Sequence, residues 1–270
     1  MADGSPKARR VAHLGDQVPN LSTAPVDIKD ASTVVVGRRT SSGFAVLLVE
    51  RPGTSKFAPG AYVFPGGSVG RADWLADQAL GMPTPRLPKA GMTDPDGTPP
   101  RVLELAAVRE LFEEAGILLA RNSRGRLAKD SDSQRLVGEV TSNGTWAQAM
   151  ANLGLTPDLD RLTFFARWVT PAGMPRRFDT RFFLATMPSG QQVHLATSEL
   201  SSHLWLTPKA ALEMNQAGGL HLVFATQTIL AELAGADQLS ALMRKLRRRT
   251  AVTKVAPVLA ATANGWQVSY

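Results

Sequence analysis

One segment with residues typical of helix ends, 98–117, constrains the fold of this chain more than any other. Thr98 suits a helix N-cap, Pro99 suits the first helical position, and Gly116 suits a left-handed C-terminal cap. We therefore expect a helix over residues 99–115. The stretch before it is rich in proline and glycine and cannot be a continuous helix or strand.

Strand and helix patterns are mixed along the rest of the chain without a regular alternation. This mixture predicts the α/β class, with an α/β sandwich around a mixed sheet. Apolar and β-branched runs predict strands at 33–37, 44–49, 62–64, 162–169, 178–187 and 204–206. Periodic patterns predict helices at 145–153, 207–216, 222–234 and 238–249.

The same patterns divide the chain into an arm and one domain. Residues 1–30 lack any period and predict a flexible N-terminal arm, and residues 31–270 predict a single domain. Within the domain we expect an insertion at about 74–98, ordered over the active site, and a helical C-terminal part at about 207–250.

Three carboxylates crowd the C-terminal end of the helix over 99–115. Glu113 and Glu114 follow Glu110 by three and four residues, so the three side chains lie along one side of the helix and repel one another. The helix dipole also disfavours negative charge at this end. A bound divalent cation would relieve both penalties, and Arg109 can reach Glu113 at the i,i+4 spacing. The alternative is a solvated acidic helix face.

The composition limits which metal ions and which kinds of partner the chain is expected to bind. The chain has no cysteine and only four histidines, so a hard cation held by carboxylates, Mg²⁺ or Mn²⁺, is the expected cofactor. The formal net charge of +7 favours anionic partners.

The segment 109–117 reads R-E-L-F-E-E-A-G-I and resembles the second half of the Nudix box, G-x5-E-x7-R-E-U-x-E-E-x-G-U with U aliphatic. Gly67 stands at the box glycine, and six positions on Asp73 stands where the family has glutamate. Between Asp73 and Arg109 lie 35 residues where the pattern has 7, so the box is split by an insertion of 28 residues. Asp73 is either a box carboxylate or a loop-capping residue.

The resemblance implies the Nudix α/β/α sandwich and a metal-dependent hydrolase. It carries the metal ligands onto Glu110, Glu113 and Glu114, with Arg109 as part of the catalytic set. Gly67 would offer its backbone carbonyl to the metal or shape the loop around it. Many Nudix enzymes also place a catalytic carboxylate shortly before a tryptophan-containing strand, where this chain has Glu199. Either Glu110 or Glu199 could act as the general base; the alternative for Glu199 is a loop glutamate in solvent.

Nudix hydrolases cleave a diphosphate linked to another moiety. Residues 57–67 and 168–183, together with the split box, resemble the branch that includes the peroxisomal coenzyme A diphosphatase. That branch implies cleavage of coenzyme A or its acyl esters into 4′-phosphopantetheine and adenosine 3′,5′-bisphosphate. Several basic residues would suit a ligand with several phosphates: Arg51, Lys56, Arg176, Arg177 and Arg181. The alternative is that these residues lie at an ordinary solvated strand edge.

Two other functions stay open. One is a Nudix hydrolase of ADP-ribose, NADH or another nucleoside diphosphate derivative. The other is a non-catalytic Nudix domain that binds nucleotides, or nucleic acid through residues 244–249; the three glutamates disfavour it.

The expected partner is therefore a small nucleotide diphosphate, and nucleic acid is disfavoured. No apolar run approaches the length of a membrane span and the N-terminal residues do not resemble a secretory signal, so we expect a cytoplasmic location. The helices after Leu222 could form a lid on the core or a homodimer interface.

Overall fold

The structure is a computed structural model that describes residues 11–13, 24–55, 58–80, 82, 89–143, 145–195, 200–262 and 265–270. Its strands in chain order are β1 Val11–His13, β2 Ile28–Thr40, β3 Gly43–Glu50, β4 Tyr62–Val63, β5 Gly66–Ser68, β6 Ala120–Asn122, β7 Leu155–Pro157, β8 Thr163–Val169, β9 Arg177–Thr186, β10 Ser202–Leu206, β11 Lys254–Val255, β12 Val258–Thr262 and β13 Gly265–Ser269. Its α-helices are α1 Arg71–Ala79, α2 Pro100–Ala115, α3 Asp130–Asn143, α4 Trp146–Asn152, α5 Pro208–Gln216, α6 Phe224–Leu233 and α7 Leu239–Arg248.

The main sheet is mixed, as the sequence predicts. Its strand order is β10-β3-β2-β9-β8-β11, with β4 beside β3 and β5 beside β2. The pairs β2–β9 and β8–β11 are parallel. The pairs β10–β3, β2–β3, β2–β5 and β8–β9 are antiparallel.

Helices cover both faces of this sheet because its central strands are apolar on both sides. On β2, Val34 and Val36 belong to one core with Leu111 of α2, while Val35 belongs to a second core with Ile229 of α6. Alternate residues of a strand point to opposite faces, so each strand contributes to both cores. The result is the predicted α/β/α sandwich, and we refer to the α2 face and the α6 face of the sheet.

The helix that carries the acidic cluster begins and ends almost where the sequence indicates. Helix α2 starts at Pro100 with Pro99 at the N-cap, and Gly116 closes it in the left-handed conformation with φ 67°. A backbone N–H bond from Gly116 to the carbonyl of Phe112 completes the cap. Thr98 does not cap the helix; its hydroxyl donates to the Asp30 carboxylate at 2.5 Å.

The N-terminal segment contains more regular structure than the sequence indicates. Strand β1 lies inside the expected flexible arm and pairs with β13, and β2 begins at Ile28, before the expected start of the domain. The pairing of Ile28 with Arg177 of β9 extends the parallel ladder to this end. Inter-strand hydrogen bonds fix these residues, which local composition does not reveal.

The insertion is ordered in its described parts, but it lies on the α2 face. Its first part continues α1, which packs against α2 and α4. Beyond the gap, the Lys89 ammonium donates to the carbonyls of Phe164 and Leu246, and Met92 enters the core on the α2 face. These bonds attach the insertion to the edge of the sheet at β8.

The C-terminal helices α5, α6 and α7 fall within the region predicted to be helical. Thr207 caps α5 by accepting a bond from the backbone N–H of Ala210 at 3.1 Å, and Pro208 opens the helix. No helix in the described part of the chain combines the length and the hydropathy that a bilayer span requires.

Candidate active site

The glycine turn and the acidic helix meet because β5 pairs with β2 and α2 packs on both strands. The backbone N–H of Gly66 donates to Oε2 of Glu114 at 2.8 Å. A Cβ atom on Gly67 would lie 2.5 Å from the carboxyl atoms of Glu110, and one on Gly66 would lie 2.5 Å from the carbonyl oxygen of Ser32. Gly66 therefore requires glycine, because a methyl group there would clash with the backbone of β2, whereas a methyl group at Gly67 would displace the Glu110 carboxylate.

Arg109 is the centre of the charged cluster and is 8% exposed. Its Nε and Nη2 donate to the two Asp73 carboxylate oxygens at 2.7 and 3.0 Å. Its Nη1 lies 2.8 Å from Oε1 of Glu110 and donates to Oε2 of Glu113 at 2.7 Å. The predicted contact from Arg109 to Glu113 is thus present. Burial alone would lower the pKa of Arg109, but bonding to Asp73 and the nearby negative charges raise it above its ordinary value.

Asp73 combines a capping role with a charge-pairing role. It is fully buried, and Oδ2 accepts a bond from the backbone N–H of Gly70 at 2.8 Å, which caps α1. The same carboxylate holds Arg109 through two bonds. Of the two roles open for Asp73, the structure shows the capping one, and it adds the positioning of Arg109.

The remaining carboxylates differ in their surroundings. The side chain of Glu110 is 14% exposed, whereas that of Glu113 is 41% exposed. Burial raises the pKa of the Glu110 carboxyl to about 7; the charge of Arg109 opposes this rise, and the charges of Glu113 and Asp73 reinforce it. A nearby divalent cation would favour the charged form instead.

The chemistry of this donor set fits a hard divalent cation, because carboxylate oxygens are the ligands such cations prefer. Glu110, Glu113 and Glu114 could hold it. In the described residues, however, no three carboxylate or imidazole groups converge into a ready-made metal cage. The oxygens of Glu110 and Glu113 face Arg109, and one oxygen of Glu114 faces the Gly66 N–H, so binding would require their side chains to turn.

A cavity of about 820 Å³ opens beside Gly66 and Gly67 on the α6 face of the sheet. Arg51 and Arg176 contribute positive charge to its wall. None of the described residues between 71 and 98 lines it, because the insertion packs on the opposite face. The described part of the insertion therefore does not line this cavity, and its position over the active site stays a prediction.

The other basic residues predicted to bind substrate lie elsewhere. Arg177 is half-buried, and its Nε donates to the carbonyl of Thr170 at 3.2 Å. Arg181 is 1% exposed and bonds to the Met92 carbonyl and the Asp30 carboxylate, on the face opposite the cavity. The assignment of Arg181 to substrate is corrected, because this guanidinium serves to join β9 to the insertion. Lys56 and Glu199 lie outside the described residues.

The basic segment 244–249 is partly engaged with the protein itself. Nε of Arg247 donates to the Thr163 hydroxyl at 3.2 Å, and Nη1 of Arg249 donates to Glu232 at 2.8 Å. The first bond joins α7 to β8, and the second joins the end of α7 to α6. The side chains of Arg244, Lys245 and Arg248 are exposed.

Sequence reasoning missed Arg167 and the far wall of the cavity. Arg167 is 1% exposed and binds Asp179 through two bonds at 2.9 and 2.6 Å. The signal was an arginine within the apolar strand β8, one strand away from an aspartate in β9. The far wall unites Trp168 with Val268 of β13, and nothing local marks that proximity.

Comparison with known proteins identifies the family. A crystal structure of a Nudix hydrolase from Alicyclobacillus acidocaldarius is 31% identical, covers 82% of this chain and 97% of its own, and superposes with a TM-score of 0.67. The chain belongs to the Nudix hydrolase family. The prediction made from residues 109–117 is confirmed, and the family model described as NUDT19 Nudix domain matches residues 96–223.

Curated Nudix relatives carry a more specific name. The acyl-coenzyme A diphosphatase NUDT19 of Homo sapiens is 30% identical over 210 residues, which are 64% of this chain and 56% of that protein. The Gallus gallus protein of the same name is 31% identical over 223 residues, 66% of this chain and 59% of its own length. The chain thus spans less than two thirds of the length of these relatives.

Proposed function

We propose that this Nudix chain hydrolyses the diphosphate linkage of coenzyme A or acyl-coenzyme A. The products would be 4′-phosphopantetheine and adenosine 3′,5′-bisphosphate, and the cofactor would be Mg²⁺ or Mn²⁺. The observation that carries the proposal is the position of the cavity: it opens at Gly66 and Gly67, which the glutamates of α2 contact from the other side.

Glu110, Glu113 and Glu114 would hold the cation. When bound, it would neutralise the diphosphate oxygens and lower the pKa of an attacking water. Arg109 restrains two of these carboxylates from one side, and Asp73 fixes Arg109 in turn. The cluster is thereby held beside the turn, on the side of Gly66 and Gly67 that faces α2.

A carboxylate must also accept the proton of the attacking water. Glu110 and Glu199 are the two candidates that the family resemblance supplies. Glu110 is largely buried beside Gly67, where a carboxylate has little access to bulk solvent. A general base works best when its pKa lies near the operating pH.

The substrate assignment follows from the named relatives and from charge. The relatives named acyl-coenzyme A diphosphatase are about 30% identical to this chain. Arg51 and Arg176 line the cavity and would neutralise phosphate groups of a polyanionic ligand. Lys56 and Arg177 remain proposed phosphate contacts, and a phosphate could draw Arg177 away from Thr170.

The test is to incubate the protein with coenzyme A and Mg²⁺ or Mn²⁺ and to follow the products by chromatography. We expect cation-dependent release of adenosine 3′,5′-bisphosphate. Glu113→Gln should lower kcat by about 100-fold or more, because it removes a carboxylate of the cation site. Glu213→Gln, at an exposed glutamate of α5, is the matched control and should leave kcat unchanged. Cation-independent turnover, or equal effects of the two variants, would contradict the proposal.

A further inference from the structure

The floor of the cavity is a row of side chains in register across four strands. Ser68 of β5 pairs with Ala31 of β2, Ala31 pairs with Thr180 of β9, and Thr180 pairs with Trp168 of β8. All four line the cavity. Paired residues of adjacent strands share a face of the sheet, so the row leads across three strand spacings, roughly 14 Å, from the glycine turn to β8.

The row changes in size along its length. Ser68, Ala31 and Thr180 are small and leave room above the sheet, whereas Trp168 fills the space at β8. A second row beside it, Gly66 with Thr33 and Phe182, has the same trend from small to large. The cavity is therefore an open trough near the acidic cluster and is walled at β8.

The wall beyond Trp168 is formed by the N-terminal turn of α6 and by the C-terminal hairpin β12–β13. Trp168 and Phe224 pack edge to face with ring centroids 6.0 Å apart. Strand β11 pairs with β8 at Trp168 and leads directly into the hairpin. We call this region the hairpin end of the cavity; its lining residues are Trp168, Phe224, Pro257, Leu259 and Val268.

The hairpin end carries no charged side chain among the described residues that line it. Arg51 and Arg176 belong to the β3–β4 and β8–β9 connections and do not belong to this wall. Two nearby amides are oriented by the backbone of Leu222: the Gln227 amide nitrogen donates to its carbonyl, and the Asn215 amide oxygen accepts from its N–H. A nucleobase needs hydrogen-bonding partners at its edge, whereas an alkyl chain needs only apolar surface.

We propose that the hairpin end binds the acyl group of a coenzyme A thioester, so that the chain selects acyl-coenzyme A over free coenzyme A. This inference rests on the proposed function and deepens it by naming the substrate class and the residues that select it. The diphosphate would lie at the glycine turn and the acyl group at Trp168.

Apolar contacts far from the scissile bond act equally on the bound substrate and the transition state. They therefore lower KM and leave kcat unchanged. Each buried methylene contributes a factor of up to about four. For octanoyl-coenzyme A compared with acetyl-coenzyme A, we expect kcat/KM to rise at least about tenfold, through KM alone.

The deciding experiment measures kcat and KM for coenzyme A, acetyl-coenzyme A and octanoyl-coenzyme A on three variants of the full chain. Leu259→Glu places a charge at the hairpin end and should reduce the octanoyl preference to about twofold or less. Ala260→Glu places the same charge on the exposed next residue of β12 and should keep the preference. Ala225→Leu, which adds volume at the cavity wall, should shorten the preferred chain length.

The outcomes separate this inference from the proposed function. Turnover of coenzyme A with no octanoyl preference, or with equal effects of Leu259→Glu and Ala260→Glu, would overturn the inference alone. Absence of turnover on all three compounds would overturn the proposed function and the inference with it. Melting curves of each variant show whether it is folded, and Ala225→Leu tests the same wall without adding a charge.

Discussion

Two clusters of charged side chains, each formed around a buried arginine, have different charge balances. At the acidic helix, the single guanidinium of Arg109 contacts the carboxylates of Asp73, Glu110 and Glu113. Glu114 adds a further carboxylate beside Gly66. The cluster therefore has an excess of negative charge, and Glu110 responds with a pKa raised to about 7 through burial first and neighbouring carboxylates second.

The second cluster lies between β8, β9 and the insertion, and its charges balance. Three cations meet three carboxylates there, through ion pairs no longer than 3.6 Å. Its members are Arg167, Arg181, Lys254, Asp30, Asp94 and Asp179. The difference teaches that a charge-balanced cluster can hold elements together, whereas an unbalanced one needs a further cation and so indicates a binding site.

Breaking the balanced cluster should have the largest effect on stability. Arg167→Met leaves the Asp179 carboxylate buried without its main partner, and we expect it to lower the free energy of unfolding by about 3–5 kcal/mol. Arg177→Met, at a half-buried position of β9, should lower it by less than about 1 kcal/mol. Urea unfolding of both variants checks this, and similar losses would contradict the assignment of Arg167 to a structural cluster.

Adding the missing cation should stabilise the unbalanced cluster. At a cation concentration one hundred times its Kd, we expect the free energy of unfolding to rise by about 2.7 kcal/mol. Glu113→Gln should remove most of this gain, and Glu213→Gln should keep it. Unfolding in the presence of Mg²⁺ or EDTA measures the gain. An equal gain in Glu113→Gln and the wild type would place the cation elsewhere.

Lowering the pH should weaken the balanced cluster by protonating Asp94. This is the smallest of the three expected effects on the free energy of unfolding. Hydrogen bonds from Arg167 first and Lys254 second lower the pKa of Asp94 from 3.8 to about 2. Because the pKa is depressed in the folded protein, its stabilisation is fully present above the ordinary pKa and is lost as pH falls toward 2. The carboxylate is half exposed, so we expect Asp94→Asn to cost less than about 1 kcal/mol at pH 6.

Denaturation of Asp94→Asn and the wild type between pH 6 and pH 3 provides the measurement. The difference in free energy of unfolding should be constant above about pH 5 and should shrink below pH 4. A difference that grows on acidification would show that Asp94 is not stabilised by its ion pairs.

How far the sequence predicts the structure depends on how local each signal is. Helix α2 is predicted because Gly116 and the prolines punctuate it locally. Helix α3 is missed because its segment is mostly polar; it is fixed partly by tertiary bonds, such as that from the Ser133 hydroxyl to the carbonyl of Gly116 at 2.6 Å.

The same distinction applies to the candidate site. The glutamates of α2 follow from one short motif, so their common face is predictable. The environment of Arg181 depends on where the insertion packs, which is a feature of the tertiary structure. The sequence alone therefore assigns Arg181 to substrate binding, whereas the structure buries it against Met92. The hairpin end is also not predictable from the sequence, since Trp168 and Val268 are distant in the chain and line the same cavity only in the folded protein.

The parallel pairing of β2 with β9 has a consequence for how the protein acquires its activity. It joins Ile28 to Arg177, residues separated by roughly 150 positions, and such distant contacts form late because a long loop must close first. The cavity floor uses this pairing, between Ala31 and Thr180. Recovery of catalytic activity during refolding should therefore coincide with completion of the whole sheet and should lag behind the recovery of helical signal.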